Sequence, residues 1–135
     1  MAEKILVIDD DQPVLEMLTD MLLTADYEVV GLSYPDLALE VVAHERPDLI
    51  LMDIMLPKRS GIEVADQLWV NGFGSTPILA ISASTIMIDL AHQTPFFEKV
   101  IRKPFDMTRM LDDVRDTLYA HSCTAEPVAA EHAAY

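Results

Sequence analysis

The sequence predicts an α/β fold in which five parallel strands form one doubly wound sheet with five helices. Short, almost entirely apolar runs alternate along the chain with longer segments whose apolar residues recur at helical spacing. Strands that alternate with helices are joined by right-handed crossovers, which makes the sheet parallel. The strands are apolar at nearly every position, as expected when helices cover both faces of the sheet.

The first half of the chain is predicted to contain three strands and two helices. Pro13 suits the first turn of the first helix, because a missing amide hydrogen costs nothing there, and Asp11 or Gln12 lies near its cap. The second helix begins at Pro35. The predicted strands are residues 4–8, 27–32 and 49–52.

The second half continues the alternation. It is predicted to contain helices at residues 61–70, 86–93 and about 107–119, and strands at residues 78–81 and 99–102. We expect residues 1–120 to form one domain, which a chain of 135 residues can accommodate. Residues 121–135 are rich in alanine and lack a core period, so we expect a flexible tail.

Charge and cysteine content exclude several classes of protein. The formal net charge is −14, with 23 Asp and Glu against 9 Lys and Arg. Nucleic acids and anionic membranes attract basic surfaces, so we expect neither as a partner. Cys123 is the only cysteine, which excludes an intrachain disulfide and a thiolate zinc site. No secretion signal or membrane-spanning run is evident, and we expect a cytoplasmic protein.

Aspartates follow two of the predicted strands. Asp9 and Asp10 come directly after the first strand, and Asp53 comes directly after the third. In the flavodoxin-like strand order 2-1-3-4-5, the ligand crevice lies at the carboxyl ends of strands one and three. The three carboxylates should therefore converge, and such hard oxygen ligands suit Mg²⁺.

Two further strand ends carry groups suited to a phosphoryl group. Ser82 follows the fourth strand and Lys103 follows the fifth. An ammonium and a metal would offset the charge of phosphoryl oxygens, and a hydroxyl would donate a hydrogen bond to them. Asp53 would then supply the nucleophilic oxygen.

Over residues 3–120 the chain resembles the receiver domains of two-component response regulators. Four motifs, in this order, are the basis of the resemblance: Asp9–Asp10, the segment LILMDIMLPKRSGIE from Leu49, the segment ISAS from Ile81, and Lys103–Pro104–Phe105. Pro57 and Gly61 also fit the turn into the third helix.

The resemblance implies a role for each site residue. Asp53 would be the phosphoacceptor, phosphorylated by a histidine kinase or a histidine phosphotransfer protein. Mg²⁺ would bind Asp53, Asp10 directly and Asp9 through water, and the backbone carbonyl of Met55 would complete its coordination. Ser82 and Lys103 would contact the phosphoryl group, with a cis peptide after the lysine, a bond that is common only before proline. No enzymatic activity is implied beyond accepting and hydrolysing this phosphoryl group.

The chain departs from the family near the fifth strand. Val100 lies three residues before Lys103, where the family usually has Tyr or Phe. Phe96–Phe97 replace the usual Gly–Ala pair, and Pro95 shortens the preceding helix. The apolar residues from Ile86 to Val100 are therefore either core or a contact face for an output protein or a homodimer, and we expect at least one to be exposed.

Three functions remain open at this point. The first is a stand-alone receiver that switches a protein–protein interaction or relays phosphate. The second is a haloacid dehalogenase-like phosphatase with Asp9 as nucleophile and Asp11 as acid/base, although Pro13 stands where that family expects Thr or Val. The third is a degenerate receiver that acts as a constitutive interaction module. The chain retains the acids, Ser82 and Lys103, which argues against this third function.

Overall fold

Five parallel strands form a single sheet in the order β2-β1-β3-β4-β5, which confirms the predicted fold and strand order. The structure is a computed structural model that describes the backbone of residues 2–134 and the side chains of residues 2–122. The strands are β1 (Lys4–Ile8), β2 (Glu28–Leu32), β3 (Leu49–Asp53), β4 (Ile78–Ser82) and β5 (Lys99–Arg102).

Five α-helices connect and cover the strands. They are α1 (Gln12–Thr24), α2 (Ala38–Glu45), α3 (Gly61–Leu68), α4 (Thr85–His92) and α5 (Met107–Ala134). A 3-10 turn at Pro35–Leu37 leads into α2, and a π-helical turn at Trp69–Phe73 follows α3. The prediction of α-helix as far as residue 70 was therefore slightly long. The π turn contains Gly72 at φ +93°, a conformation that interrupts regular helix and favours glycine.

The core consists of layers on the two faces of the sheet. On one face, α1 and α5 bury apolar side chains against the central strands. On the other face, α2 and α3 do the same. A smaller cluster joins Ile54, just after β3, to Ala80 of β4 and Ala91 of α4. Because both faces are covered, β3 and β4 are buried at every position.

The last helix is longer than the sequence predicted. Its backbone is helical from Met107 to Ala134, past the expected end near Tyr119. Residues 121–134 contain five alanines, the best helix former, but also Pro127, the poorest. The side chains of residues 123–135 lie outside the described part of the structure. The expected flexibility of residues 121–135 therefore stays a prediction. Within the described residues, none of the helices is both long and apolar enough to span a membrane.

Candidate functional site

The carboxyl ends of β1 and β3 bring acidic residues to one edge of the sheet. The two strands pair in parallel register, with Ile8 opposite Met52, so the residues that follow them emerge side by side. Gly61 lies tightly against this edge: its amide donates to the Ile54 carbonyl at 2.7 Å. A Cβ at Gly61 would lie 2.8 Å from the backbone oxygen of Asp53, so only glycine fits without a shift of the site.

The three predicted carboxylates do meet. Asp9, Asp10 and Asp53 each offer an oxygen, and these oxygens lie within 4.8 Å of one another. Asp9 is only 1% exposed. Its Oδ1 accepts a hydrogen bond from the Asp11 amide at 2.9 Å, whereas its Oδ2 is buried and has no hydrogen-bond partner among the described residues. A buried carboxylate oxygen that accepts no hydrogen bond from the described residues, next to two further carboxylates, fits a divalent cation.

Burial raises the pKa of Asp9 above its ordinary value. The hydrogen bond from the Asp11 amide and the charge of Lys103 favour the ionised form, whereas the charges of Asp53 and Asp10 oppose it. Loss of hydration has the largest effect, so the net direction is upward. The ionised Asp9 carboxylate is therefore a local destabilisation unless a cation compensates it.

Lys103 lies between two of the carboxylates. Its Nζ donates to Asp53 Oδ2 at 2.9 Å and lies 3.6 Å from Asp9 Oδ2, too far for a good hydrogen bond. Burial alone would lower the pKa of Lys103, but the hydrogen bond to Asp53 and the charges of Asp53 and Asp9 outweigh it, and the pKa is raised. Lys103 therefore remains an ammonium in the site.

The backbone directs Lys103 towards the acids. Its amide donates to the Ser82 carbonyl at 2.9 Å, which continues the β4–β5 pairing by one residue beyond β5. The peptide bond between Lys103 and Pro104 is cis, as the family resemblance implied.

Ser82 is completely buried at the end of β4. Its Oγ accepts a hydrogen bond from the Ser84 amide at 3.0 Å. The Ser84 hydroxyl in turn caps α4 by accepting from the Met87 amide at 3.2 Å. The hydroxyl of Ser82 is thus connected to the first turn of α4 through only one intervening residue.

The loop after β3 is held in place by groups that the sequence reasoning did not identify. The Met55 amide donates to Asp53 Oδ1 at 2.8 Å, whereas the predicted role of the Met55 carbonyl stays a prediction. Arg59 bonds Gln67 of α3 at 3.1 Å and forms an ion pair with Asp36 at 3.6 Å. No local pattern could have revealed Arg59, because its ion-pair partner lies in the 3-10 turn before α2, far away in the sequence.

The apolar segment from Ile86 to Val100 divides between core and surface. Ile86 is 72% exposed, which confirms that at least one residue of the segment lies at the surface. Met87, Phe97 and Val100 pack against the small cluster that contains Ile54. Leu90 is also 43% exposed, so the segment is partly core and partly surface. Its role in binding an output protein or in forming a homodimer stays a prediction.

Comparison with solved structures finds the same fold in several receiver domains. A CheY-like response regulator receiver domain protein from Methanospirillum hungatei superposes with a TM-score of 0.84 at 21% identity, over 92% of this chain and 99% of that one. The signal receiver domain of an HD domain-containing protein from Pseudomonas fluorescens gives 0.84 at 20% identity, over 93% of both chains. The chemotaxis protein CheY4 of Vibrio cholerae gives 0.76 at 24% identity, over 86% of this chain and 98% of that one.

At these identities the structural likeness shows the fold alone. The family follows from a sequence-profile match: the model described as "Response regulator receiver domain" matches residues 5–115. That range covers most of the chain, including the acidic site and all of the five strands except Lys4. The chain therefore belongs to the response regulator receiver domain family.

Proposed function

We propose that this receiver accepts a phosphoryl group on Asp53, with Mg²⁺, from a histidine kinase or a histidine phosphotransfer protein. The observation that supports this most directly is the position of Lys103, whose ammonium bonds Asp53 Oδ2 at 2.9 Å beside the three-carboxylate cluster. Intact mass measured after incubation with acetyl phosphate and Mg²⁺ tests the proposal. One added phosphoryl group per chain is expected.

The transfer itself needs few parts. An oxygen of Asp53 attacks phosphorus, a P–O bond forms, and the P–N bond to the donor imidazole breaks, so that the imidazole leaves with the bond's electron pair. Lys103 lies where it can offset negative charge on the phosphoryl oxygens. The Met55 amide, already bonded to Asp53 Oδ1, fixes the orientation of the carboxylate before the reaction.

The metal would be held by Asp9, Asp10 and Asp53, with the Met55 carbonyl as a further oxygen ligand. Bound there, Mg²⁺ would offset the charge of the carboxylates and of the incoming phosphoryl group. Three carboxylates and a phosphoryl dianion otherwise repel one another at close range. We propose no other enzymatic activity than uptake of the phosphoryl group and its later hydrolysis from Asp53.

We propose that phosphorylation changes the conformation at the start of α4. A phosphoryl group on Asp53 would attract the Ser82 hydroxyl, which now accepts a hydrogen bond from the Ser84 amide. Movement of Ser82 weakens that bond, and Ser84 is also the cap of α4. The segment Ala83–Asp89 would therefore shift. Val100, which is β-branched and short, cannot fill the space that Ser82 leaves, as the Tyr or Phe ring usual at this position in the family would.

A conformational change at the start of α4 predicts which amide chemical shifts respond to phosphorylation. On binding beryllofluoride, a phosphoryl mimic, amide chemical shifts outside the acidic site should change most between Ala83 and Asp89. Val100→Ala should leave phosphorylation unchanged and keep the same pattern of shifts, because Val100 only packs against the core. Ser84→Ala, which removes the cap at a cost of about 1 kcal/mol, should reduce the response of α4. A lost response in Val100→Ala with phosphorylation intact would make Val100 the switch and contradict this proposal.

A further inference from the structure

An exposed aromatic surface lies away from the acidic site, where the chain leaves α3. We call Trp69, Val70 and Phe96 the aromatic face. Trp69 is 46% exposed and Val70 is 71% exposed. The Trp69 ring stacks on Phe96 in a tilted arrangement with the ring centroids 5.6 Å apart, and Phe96 meets Phe97 edge-on at 6.4 Å. Tryptophan and other aromatic residues are enriched at the centres of protein interfaces.

The local backbone holds this tryptophan in place. Gly72, at φ +93°, turns the chain back in a conformation that other residues rarely adopt. Gly74 lies directly against the ring: a Cβ there would be 3.1 Å from Trp69 Cε3. Gly74 and Phe96 both contact the indole ring and hold it in place, yet the residue remains half-exposed. It is thus a pre-ordered surface group that would lose little side-chain entropy on binding.

The stretch of chain that carries the aromatic face holds few charges, and the exposed acids Asp66 and Glu98 lie at its two ends. Residues 67–88 and 90–97 contain no Asp, Glu, Lys or Arg, and all but one of the 23 acidic residues lie outside residues 67–97. Among the described residues, none of the ion pairs involves this stretch. The remainder of the chain holds nearly all of the −14 net charge.

We propose that the aromatic face binds the same face of a second copy of this chain, as a two-fold symmetric dimer. Two such acidic molecules repel each other on most approaches, and like charges brought together at an interface are costly. The aromatic face, which has only the acids Asp66 and Glu98 close to it in the chain, is where two copies can meet at the least such cost and bury Trp69 against its counterpart. A basic partner, by contrast, would be drawn to the acidic surface. Two-fold dimers use one self-complementary patch on both subunits, which a single apolar patch can supply.

Sedimentation of the full chain tests the proposal. The wild type is expected to form dimers in a concentration-dependent manner, whereas Val70→Glu should raise the dimer dissociation constant at least about tenfold. Leu23→Glu is the matched control, because Leu23 is also an exposed apolar residue, at 51%, but lies on α1. It adds the same charge and should leave the dimer intact. Unchanged thermal melting of both variants would show that neither is misfolded.

Ionic strength and fluorescence sharpen the test. Salt should strengthen the dimer, since it screens the repulsion between the acidic surfaces while the contact itself contains no ion pairs. The single tryptophan should shift its emission to the blue as the wild type is concentrated, and Val70→Glu should abolish that shift.

Three results would overturn the proposal: a wild type that stays monomeric into the millimolar range, equal effects of Val70→Glu and Leu23→Glu, or a dimer that dissociates as salt is added. The inference is independent of the proposed phosphorylation. Val70→Glu should still accept a phosphoryl group, and Asp53→Asn should still dimerise, so failure of one proposal does not imply failure of the other.

Discussion

Asp53→Asn should abolish uptake of a phosphoryl group from acetyl phosphate, because a neutral amide cannot act as the nucleophile that the Asp53 carboxylate, in contact with Lys103 at 2.9 Å, would be. The wild type should gain one acid-labile phosphoryl group, and only when a divalent cation is present. Intact mass spectrometry of both proteins, with and without Mg²⁺, measures the difference. This effect is the largest that we expect, since it is a complete loss rather than a change in rate.

Asp11→Asn is the informative control for this experiment. Asp11 lies at the N-cap of α1 and makes no side-chain cap bond, so the receiver account expects phosphorylation to continue in the variant. The phosphatase alternative gives Asp11 the role of acid/base and Asp9 that of nucleophile. It therefore expects Asp11→Asn to impair the reaction with acetyl phosphate. Peptide mapping that finds the label on Asp9 would contradict the receiver account of the chemistry.

Mg²⁺ should stabilise the wild-type protein strongly. The ion binds the folded cluster and not the unfolded chain, so at about 100 times its dissociation constant it adds about 2.7 kcal/mol to the free energy of unfolding. For a domain of this size, that corresponds to a rise in Tm of about 10 °C. Thermal melts across a Mg²⁺ titration measure it, and a midpoint unmoved by millimolar Mg²⁺ would count against the metal site.

Asp9→Asn should melt at a higher temperature than the wild type without Mg²⁺ and at a lower temperature with it. Without metal the variant is expected to melt higher than the wild type, since burial raises the pKa of Asp9 and its ionised form destabilises the fold. This advantage should disappear as the pH falls through the raised pKa, because the wild-type carboxyl is then neutral as well. With Mg²⁺ the wild type should melt higher, because the variant has lost a ligand.

Asp11→Asn again supplies a control for the melts. It removes the same charge but lies outside the three-carboxylate cluster. Its Mg²⁺-dependent shift in Tm should equal that of the wild type. A reduced shift in this variant would mean that the metal responds to the overall acidity of the chain and not to the cluster.

Much of the fold, and the identity of the residues that form the acidic site, could be predicted from the sequence alone. Apolar runs at 4–8 and 49–52 identified the central strands, because strands covered on both faces have apolar residues throughout. The crossover rule then made the sheet parallel, and a parallel sheet places every strand's carboxyl end at one edge. From that follows the convergence of Asp9, Asp53 and Lys103, since Asp53 is the last residue of β3 and the other two come directly after β1 and β5.

Only the tertiary structure decided how these residues meet. The sequence does not show that Lys103 bonds Asp53 and stands 3.6 Å from Asp9, or that one oxygen of Asp9 is buried without a hydrogen-bond partner. Nor does it separate exposed Ile86 from its packed neighbour Met87, or place Trp69 on Phe96. These features depend on contacts between residues far apart in the chain. Local periodicity reports which face of an element is apolar, but the packing of other elements decides which side chains are covered.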